Sequence, residues 1–193
     1  MFDIKCKGLF PTELYFVDIF DQKENESYKQ ELLKLSQQDP GRERSNRGGW
    51  QSDTMLWQNE VFKPLLEKSS HIIQSIITDL SKQEPPQFAI RAMWGNINPK
   101  GGYNFTHVHP SGWLSAVYYV DLPKGAPGIA FEDPRPARMM DFQRSCLIAD
   151  EYYGHEPKTG QLVMFPSWLP HFVNPNTTDQ NRISISFNVE LLV

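Results

Sequence analysis

Arg182-Ile183-Ser184-Ile185-Ser186-Phe187-Asn188-Val189 alternates polar and apolar residues without a break, and that alternation decides how the chain folds. Successive side chains of an extended strand point to opposite faces. One face therefore carries Arg182, Ser184, Ser186 and Asn188, and the other carries Ile183, Ile185, Phe187 and Val189. On an open amphipathic strand the polar face would lie in water. If helices cover the apolar face, the polar face lines the inside of a barrel, where a guanidinium needs an anion. Arg182, with the Ser184 hydroxyl two residues on, then forms a clamp for a carboxylate.

Working back from this strand, the same period of two holds as far as residue 87. Strand-like runs lie near 88–98, 103–109, 114–121, 128–132, 144–149, 161–165, 171–174 and 182–192, separated by Pro and Gly turns. Upstream the pattern is helical. Ser27 to Gln38 carries a stripe of Tyr28, Leu32, Leu33 and Leu35. Met55 to Lys82 carries Val61, Phe62, Leu65, Leu66, Ile72, Ile73, Ile76, Ile77 and Leu80. Asp53 or Thr54 is placed to cap that second helix, and Pro64 either breaks it or marks the first turn of a new one. Phe2-Asp3-Ile4 and Leu14-Tyr15-Phe16-Val17 read as short strands. Asp39 to Asp53 reads as a long polar loop of the kind that carries function. The expected fold is mainly β with N-terminal helices: a double-stranded β-helix (jelly roll, cupin-like) with helices packed on one sheet. It would form one domain over 1–193, with 1–86 as strand and helical support and 87–193 as the jelly-roll core.

Composition agrees with a folded body. The 193 residues are 39% hydrophobic and 12% aromatic, with 15 prolines and 12 glycines to make turns. A net charge of −4 gives no general attraction to nucleic acid or to anionic membrane. Arg42, Arg44 and Arg47 form a small basic run interrupted by Glu43, read as a solvated loop face, with contact to an anionic partner as the alternative. Cys6 and Cys146 are too few for a disulfide scaffold. No signal peptide or long apolar span is apparent, so a reducing cytoplasm is the default. A homodimer is left open.

The chain has five histidines, and three of them sit at strand ends. In Thr106-His107-Val108-His109-Pro110, His107 and His109 project to one side while Val108 faces away. His171 follows a strand and a tight turn and starts another strand, so it can meet the pair across a barrel mouth. Imidazole is the commonest ligand for iron, zinc, copper and nickel. The plain alternative is three hydrogen-bonded histidines in an aromatic-rich core. His155 reads as a loop residue, with a fourth ligand or pocket residue as its alternative. His71 reads as structural.

At these residues the chain resembles the iron(II)/2-oxoglutarate-dependent dioxygenases, most closely a group of short 2OG-Fe(II) oxygenases. The resembling blocks are Gly48 to Ser52, Trp94 to Pro99, Gly102-Tyr103-Asn104 through His107 to Pro110, Leu114 to Val120, Phe131 to Arg135, Phe165 to Leu169 with His171, and Arg182 to Val189. The resemblance implies an iron(II)- and 2-oxoglutarate-dependent hydroxylase whose prime substrate it does not identify. That superfamily holds iron with His-x-Asp/Glu and a distal His, and grips the far carboxylate of 2-oxoglutarate with Arg-x-Ser. His107 takes the first position, His171 the distal one, and Arg182 with Ser184 the clamp. Tyr119 falls where a tyrosine assists the clamp in the prolyl hydroxylases.

The departure is at the carboxylate, where this chain has His109. Three neutral imidazoles leave the site one unit more positive than the usual triad and alter its preference among metals. Asp133 or Asp150 is the alternative source of a carboxylate. Asn188, Trp113, Arg135 and Trp168 are placed near the mouth as substrate contacts, and the segment from Arg42 to Trp50 as a lid. Two other functions stay open. One is a three-histidine or cupin-like oxygenase that uses no 2-oxoglutarate, and the other is a non-enzymatic jelly roll that binds a metal or small ligand.

Overall fold

In the computed structural model, which describes residues 3–5, 7–136 and 152–192, the alternating C-terminal run becomes a strand at the centre of a sheet. The chain opens with β1 (Tyr15–Asp18), α1 (Gln22–Gln38), β2 (Asn46–Arg47) and β3 (Trp50–Gln51). Two 3₁₀ turns, Leu56–Gln58 and Glu60–Phe62, lead into α2 (Lys63–Leu80). There follow β4 (Gln87–Asn98), β5 (Tyr103–His107), β6 (Leu114–Asp121), β7 (Ile129–Glu132) and β8 (Tyr152–His155). The last three are β9 (Gln161–Pro166), β10 (His171–Val173) and β11 (Arg182–Leu192).

Two antiparallel sheets result, ordered β1-β9-β6-β11-β4-β3 and β2-β5-β10-β7-β8. From β4 onward the chain passes between them, placing β4, β6, β9 and β11 in the first and β5, β7, β8 and β10 in the second. That is the expected double-stranded β-helix. β1 and β3 extend the first sheet, and β2 extends the second.

Helices cover one face of the first sheet, as the apolar side of β11 requires. Ile183, Ile185, Phe187 and Val189 form one buried cluster with Tyr28 and Leu32 of α1 and with Leu65, Ile73 and Ile77 of α2. Fully burying an aliphatic or aromatic side chain of this size contributes about 1.5–3 kcal/mol, so this layer is a main source of stability. Asn25 of α1 ties the helix to the sheet, accepting from the Tyr118 hydroxyl at 2.9 Å and donating to the Val120 carbonyl. Gly95 of β4 lies beneath Leu32, and a Cβ there would stand 2.2 Å from Leu32 Cδ2. Gly95→Ala should therefore destabilise the protein by about 1–3 kcal/mol through overpacking. A denaturant midpoint equal to wild type would mean that α1 can shift freely.

Several boundaries differ from the sequence reading. α1 begins at Gln22, a turn earlier than expected, because Asp21 caps it by accepting from Glu24 N at 2.9 Å. That first turn is polar and carries no apolar stripe to announce it. Asp53 accepts from Met55 N to make a turn and does not cap α2. Instead, α2 starts at Lys63 with Pro64 in its first turn, where the missing N–H costs nothing. Residues 3–5 form no strand, and Phe2 lies outside the described residues, as do Cys6, Cys146 and the expected strand at 144–149. The segment 39–53 contributes β2 and β3, one to each sheet. No helix among the described residues is long and apolar enough to cross a membrane.

Candidate metal and diacid site

Register carries the polar face of β11 across the first sheet. Ser184 pairs with Asn96 and Tyr119, and Asn96 with Gln51, giving one inward row of Gln51, Asn96, Ser184 and Tyr119. The next rows are Trp94, Ser186 and Val117, then Ala92, Asn188, Ser115 and Phe165. Arg182, Ser184, Ser186 and Asn188 all line a cavity of about 410 Å³ between the sheets, as do Trp94 and Asn96.

The opposite wall carries the histidines. His107 ends β5 and His171 begins β10, and the two are direct cross-strand partners. His109 lies two residues beyond the end of β5, in a turn that its own N–H anchors to the Ser167 carbonyl at 2.9 Å. Ring centroids are 4.3 Å apart for His107 and His171, 5.0 Å for His107 and His109, and 5.2 Å for His109 and His171. One nitrogen from each ring falls within 4.8 Å of the others, close enough to share one cation. Among the described residues no other such group of His, Cys, Asp or Glu occurs.

Hydrogen bonding sets the tautomers. His107 Nδ1 lies 2.8 Å from the Phe105 carbonyl, and His171 Nδ1 lies 2.9 Å from the Leu169 carbonyl. A carbonyl only accepts, so both Nδ1 atoms carry the proton and both Nε2 atoms present a lone pair. Backbone carbonyls that orient imidazoles this way are the usual partners of metal-binding histidines. Ser45 Oγ lies 3.3 Å from His107 Nε2 and can donate to it.

Burial keeps all three rings neutral. It lowers the pKa of His107, pushes that of His109 down to about 4, and pushes that of His171 down to about 3; in His109 and His171 the neighbouring His107 adds to the effect. Proton uptake then destabilises the metal-free fold. The unfolded chain binds protons as pH falls through the ordinary imidazole range near 6.5, while in the folded chain His109 resists until about 4 and His171 until about 3. The thermal midpoint of metal-free protein should drop between pH 7 and pH 5, with a shallower drop in His171→Gln. Equal slopes would show that this imidazole is not held neutral by burial.

Arg182 is 2% exposed, yet among the described residues no carboxylate pairs with it. Its Nε donates to the Pro127 carbonyl at 3.0 Å and its Nη1 to Ser184 Oγ at 3.2 Å. The guanidinium also lies 5.2 Å over the Tyr119 ring. The Tyr119 hydroxyl is buried beside the Arg182 guanidinium and its own proton has no acceptor. Burial pushes its pKa up to about 12, against the pull of the Arg182 charge. A buried cation and a buried hydroxyl thus both stand ready for an acceptor.

Not every expected residue reaches this cavity. Of the four substrate contacts, only Asn188 lines it. Trp113 packs against the helix-side core from the bend that precedes β6, outside the strand's alternation. Trp168 is 53% exposed on the turn before His171, and Arg135 is exposed and paired with Asp133. His155 belongs to β8, where it stacks on Phe16 with centroids 4.2 Å apart and bonds Gln161 at 2.8 Å, so it is no fourth ligand. His71 is exposed on α2. Asp133 stands outside the histidine group, and Asp150 lies outside the described residues. Arg44, Ser45, Gln51, Trp94 and Asn96 line the cavity without having been assigned there from sequence. Alternation along 88–98 was enough to turn Trp94 and Asn96 inward, whereas the loop residues carry no period to read.

The comparisons with known proteins bear on the family and the fold. The family profile described as "Putative 2OG-Fe(II) oxygenase" matches residues 92–188. No curated protein matches this sequence. Among solved structures, a prolyl-4-hydroxylase from Pseudomonas putida aligns at a TM-score of 0.65 and 17% identity, covering 94% of each chain. HygX from Streptomyces hygroscopicus, crystallised with nickel and 2-oxoglutarate, aligns at 0.68 and 13%, covering 93% of this chain and 82% of HygX. A prolyl hydroxylase from Trichoplax adhaerens, in complex with a hypoxia inducible factor peptide fragment, aligns at 0.64 and 14%, covering 92% and 83%. At these identities the likeness establishes a shared fold.

Proposed function

The chain belongs to the 2OG-Fe(II) oxygenase family, and from that premise we propose that it is an iron(II)- and 2-oxoglutarate-dependent dioxygenase with a three-histidine metal centre. The observation that carries this reading is the buried, unpaired guanidinium of Arg182, lining the same cavity as three converging neutral imidazoles.

The residues present suit both groups. Three nitrogen donors on one side leave up to three octahedral positions open, as many as a bidentate keto acid and oxygen need. Arg182 and Ser184 supply two donors for the far carboxylate of the diacid, and the Tyr119 hydroxyl, whose proton has no acceptor, supplies a third. When bound, iron and 2-oxoglutarate supply the oxidising chemistry: oxygen is consumed, the keto acid becomes succinate and carbon dioxide, and a C–H bond of the prime substrate is oxidised. The protein's part is to position and to exclude water. The Phe105 and Leu169 carbonyls fix the rings of His107 and His171. Phe165, whose ring lies 4.6 Å from that of His171, backs the centre with apolar surface.

His109 is the specific observation that favours a second reading, an oxygenase that uses no 2-oxoglutarate and binds a carboxylate of its own substrate at Arg182. One experiment separates them. Protein loaded with iron(II) and given 2-oxoglutarate in air should form succinate, with formation dependent on iron. Absence of both succinate and 2-oxoglutarate binding would reject the first reading.

A further inference from the structure

We propose that the prime substrate is a small acidic molecule, held by Arg44 at the cavity mouth and by the carboxamides of Gln51 and Asn96 further in; this rests on the function proposed above. Three arginines stand close together in the 39–53 segment, and two are already engaged. Arg42 pairs with Asp39 at 2.8 Å and Arg47 with Glu43 at 3.2 Å. Among the described residues no carboxylate pairs with Arg44, an exposed residue that is part of the cavity lining. Its backbone is held in place, since its N–H donates to Asn46 Oδ1 at 2.8 Å.

Gln51 supplies the second, independent observation. It is 6% exposed, it lines the cavity, and among the described residues its amide has no hydrogen-bond partner. Its amide atoms are open to the cavity, so a ligand that bonds them takes the place of water. Asn96 is its register partner in the same inward row and donates to Ser186 Oγ at 3.2 Å. In that row Gln51 stands at the end opposite Tyr119, with Asn96 between it and Ser184. Trp94 stands in the next row beside His109, with ring centroids 5.6 Å apart, and gives the substrate an apolar wall near the metal.

Charge points the same way. Among the described residues no Asp or Glu lines the cavity. The metal would bring two positive charges, and Arg182 and Arg44 one each. The diacid cancels two of these, and neutral His109 cancels none. Counted over the described residues, the loaded cavity keeps a surplus of two, which favours an anion and repels a cation. Size restricts the choice further: about 410 Å³ is near the small end for ligand pockets, and the diacid occupies part of it.

The test uses protein loaded with nickel(II) and saturating 2-oxoglutarate, so that no turnover occurs. Ligand-observed NMR measures binding of four probes, the N-acetylated amides of glutamate, phosphoserine, glutamine and lysine. Their caps offer the amides that Gln51 and Asn96 can bond, while their side chains range from anionic to cationic. The expected result is binding of glutamate or phosphoserine at least about tenfold tighter than of glutamine, the margin of one charge-assisted pair, and none of lysine. The better of the two acidic probes tells carboxylate from phosphate. Arg44→Gln should erase the preference for acid, and Gln51→Leu should weaken every probe. Equal binding of the glutamate and glutamine probes, no binding of either acid, or an Arg44→Gln protein as selective as wild type would overturn the proposal. If wild-type protein with nickel takes up no 2-oxoglutarate, the function reading itself falls and this inference falls with it.

Discussion

Arg182→Met is expected to weaken 2-oxoglutarate binding strongly while leaving the ligand-free protein at least as stable as wild type. The two halves of this result have one cause. Arg182 is buried with only a carbonyl and a hydroxyl to bond, so the ligand-free fold bears the cost of desolvating a charge without an ion pair to offset it. Methionine fills similar volume and carries no charge. The ligand-bound state loses a charge-assisted, water-excluded contact, worth about 2–5 kcal/mol, or roughly thirty- to several-thousand-fold in affinity. Thermal unfolding reads both effects. Saturating 2-oxoglutarate should raise the wild-type midpoint in the presence of nickel, by an increment that grows with ligand concentration. Arg182→Met should show an increment smaller by about 2 kcal/mol or more at the same ligand concentration. A variant that is strongly destabilised without ligand would mean that Arg182 serves the fold, and undiminished ligand stabilisation would remove it from the clamp.

The same residue shows how much of the protein was legible in its sequence. Alternation along 182–189 sorted β11 into a helix-covered face and a cavity face, and β11 and β6 span 182–192 and 114–121 as read. The pair His107 and His109 was legible from its spacing of two, although the strand stops at His107 and a turn completes the geometry. Longer reach was harder. Nothing local says that β10 pairs with β5 so that His171 faces His107, because such pairing is a property of the closed sheets. Trp113 and Trp168 sit in a bend and a turn, where no period shows which way a side chain points, and the first packs on the helix-side core while the second is exposed. Ser45 and Gln51 sit in a polar segment whose order comes from pairing with β5 and β4, and a segment ordered only by its partners shows no period.

His109→Asp is the substitution that tests what this centre gains from a third imidazole. A carboxylate carries the charge that three neutral rings lack, and as a hard oxygen donor it favours manganese(II) and iron(II) relative to copper(II) and zinc(II). The variant should therefore keep iron(II) and narrow the gap in dissociation constant between manganese(II) and zinc(II) by about tenfold, a change of the size that ligand-shell substitutions produce. The added negative charge should at the same time weaken binding of the 2-oxoglutarate dianion, since the cavity loses one unit of attraction. His109→Ala separates ligand chemistry from space, because it removes the donor without supplying another and should lose metal of every kind. The position allows the exchange. The turn is fixed by the backbone bond from His109 N–H to the Ser167 carbonyl, which survives any change of side chain. If the Asp and Ala variants bound every metal alike, His109 would not be a ligand.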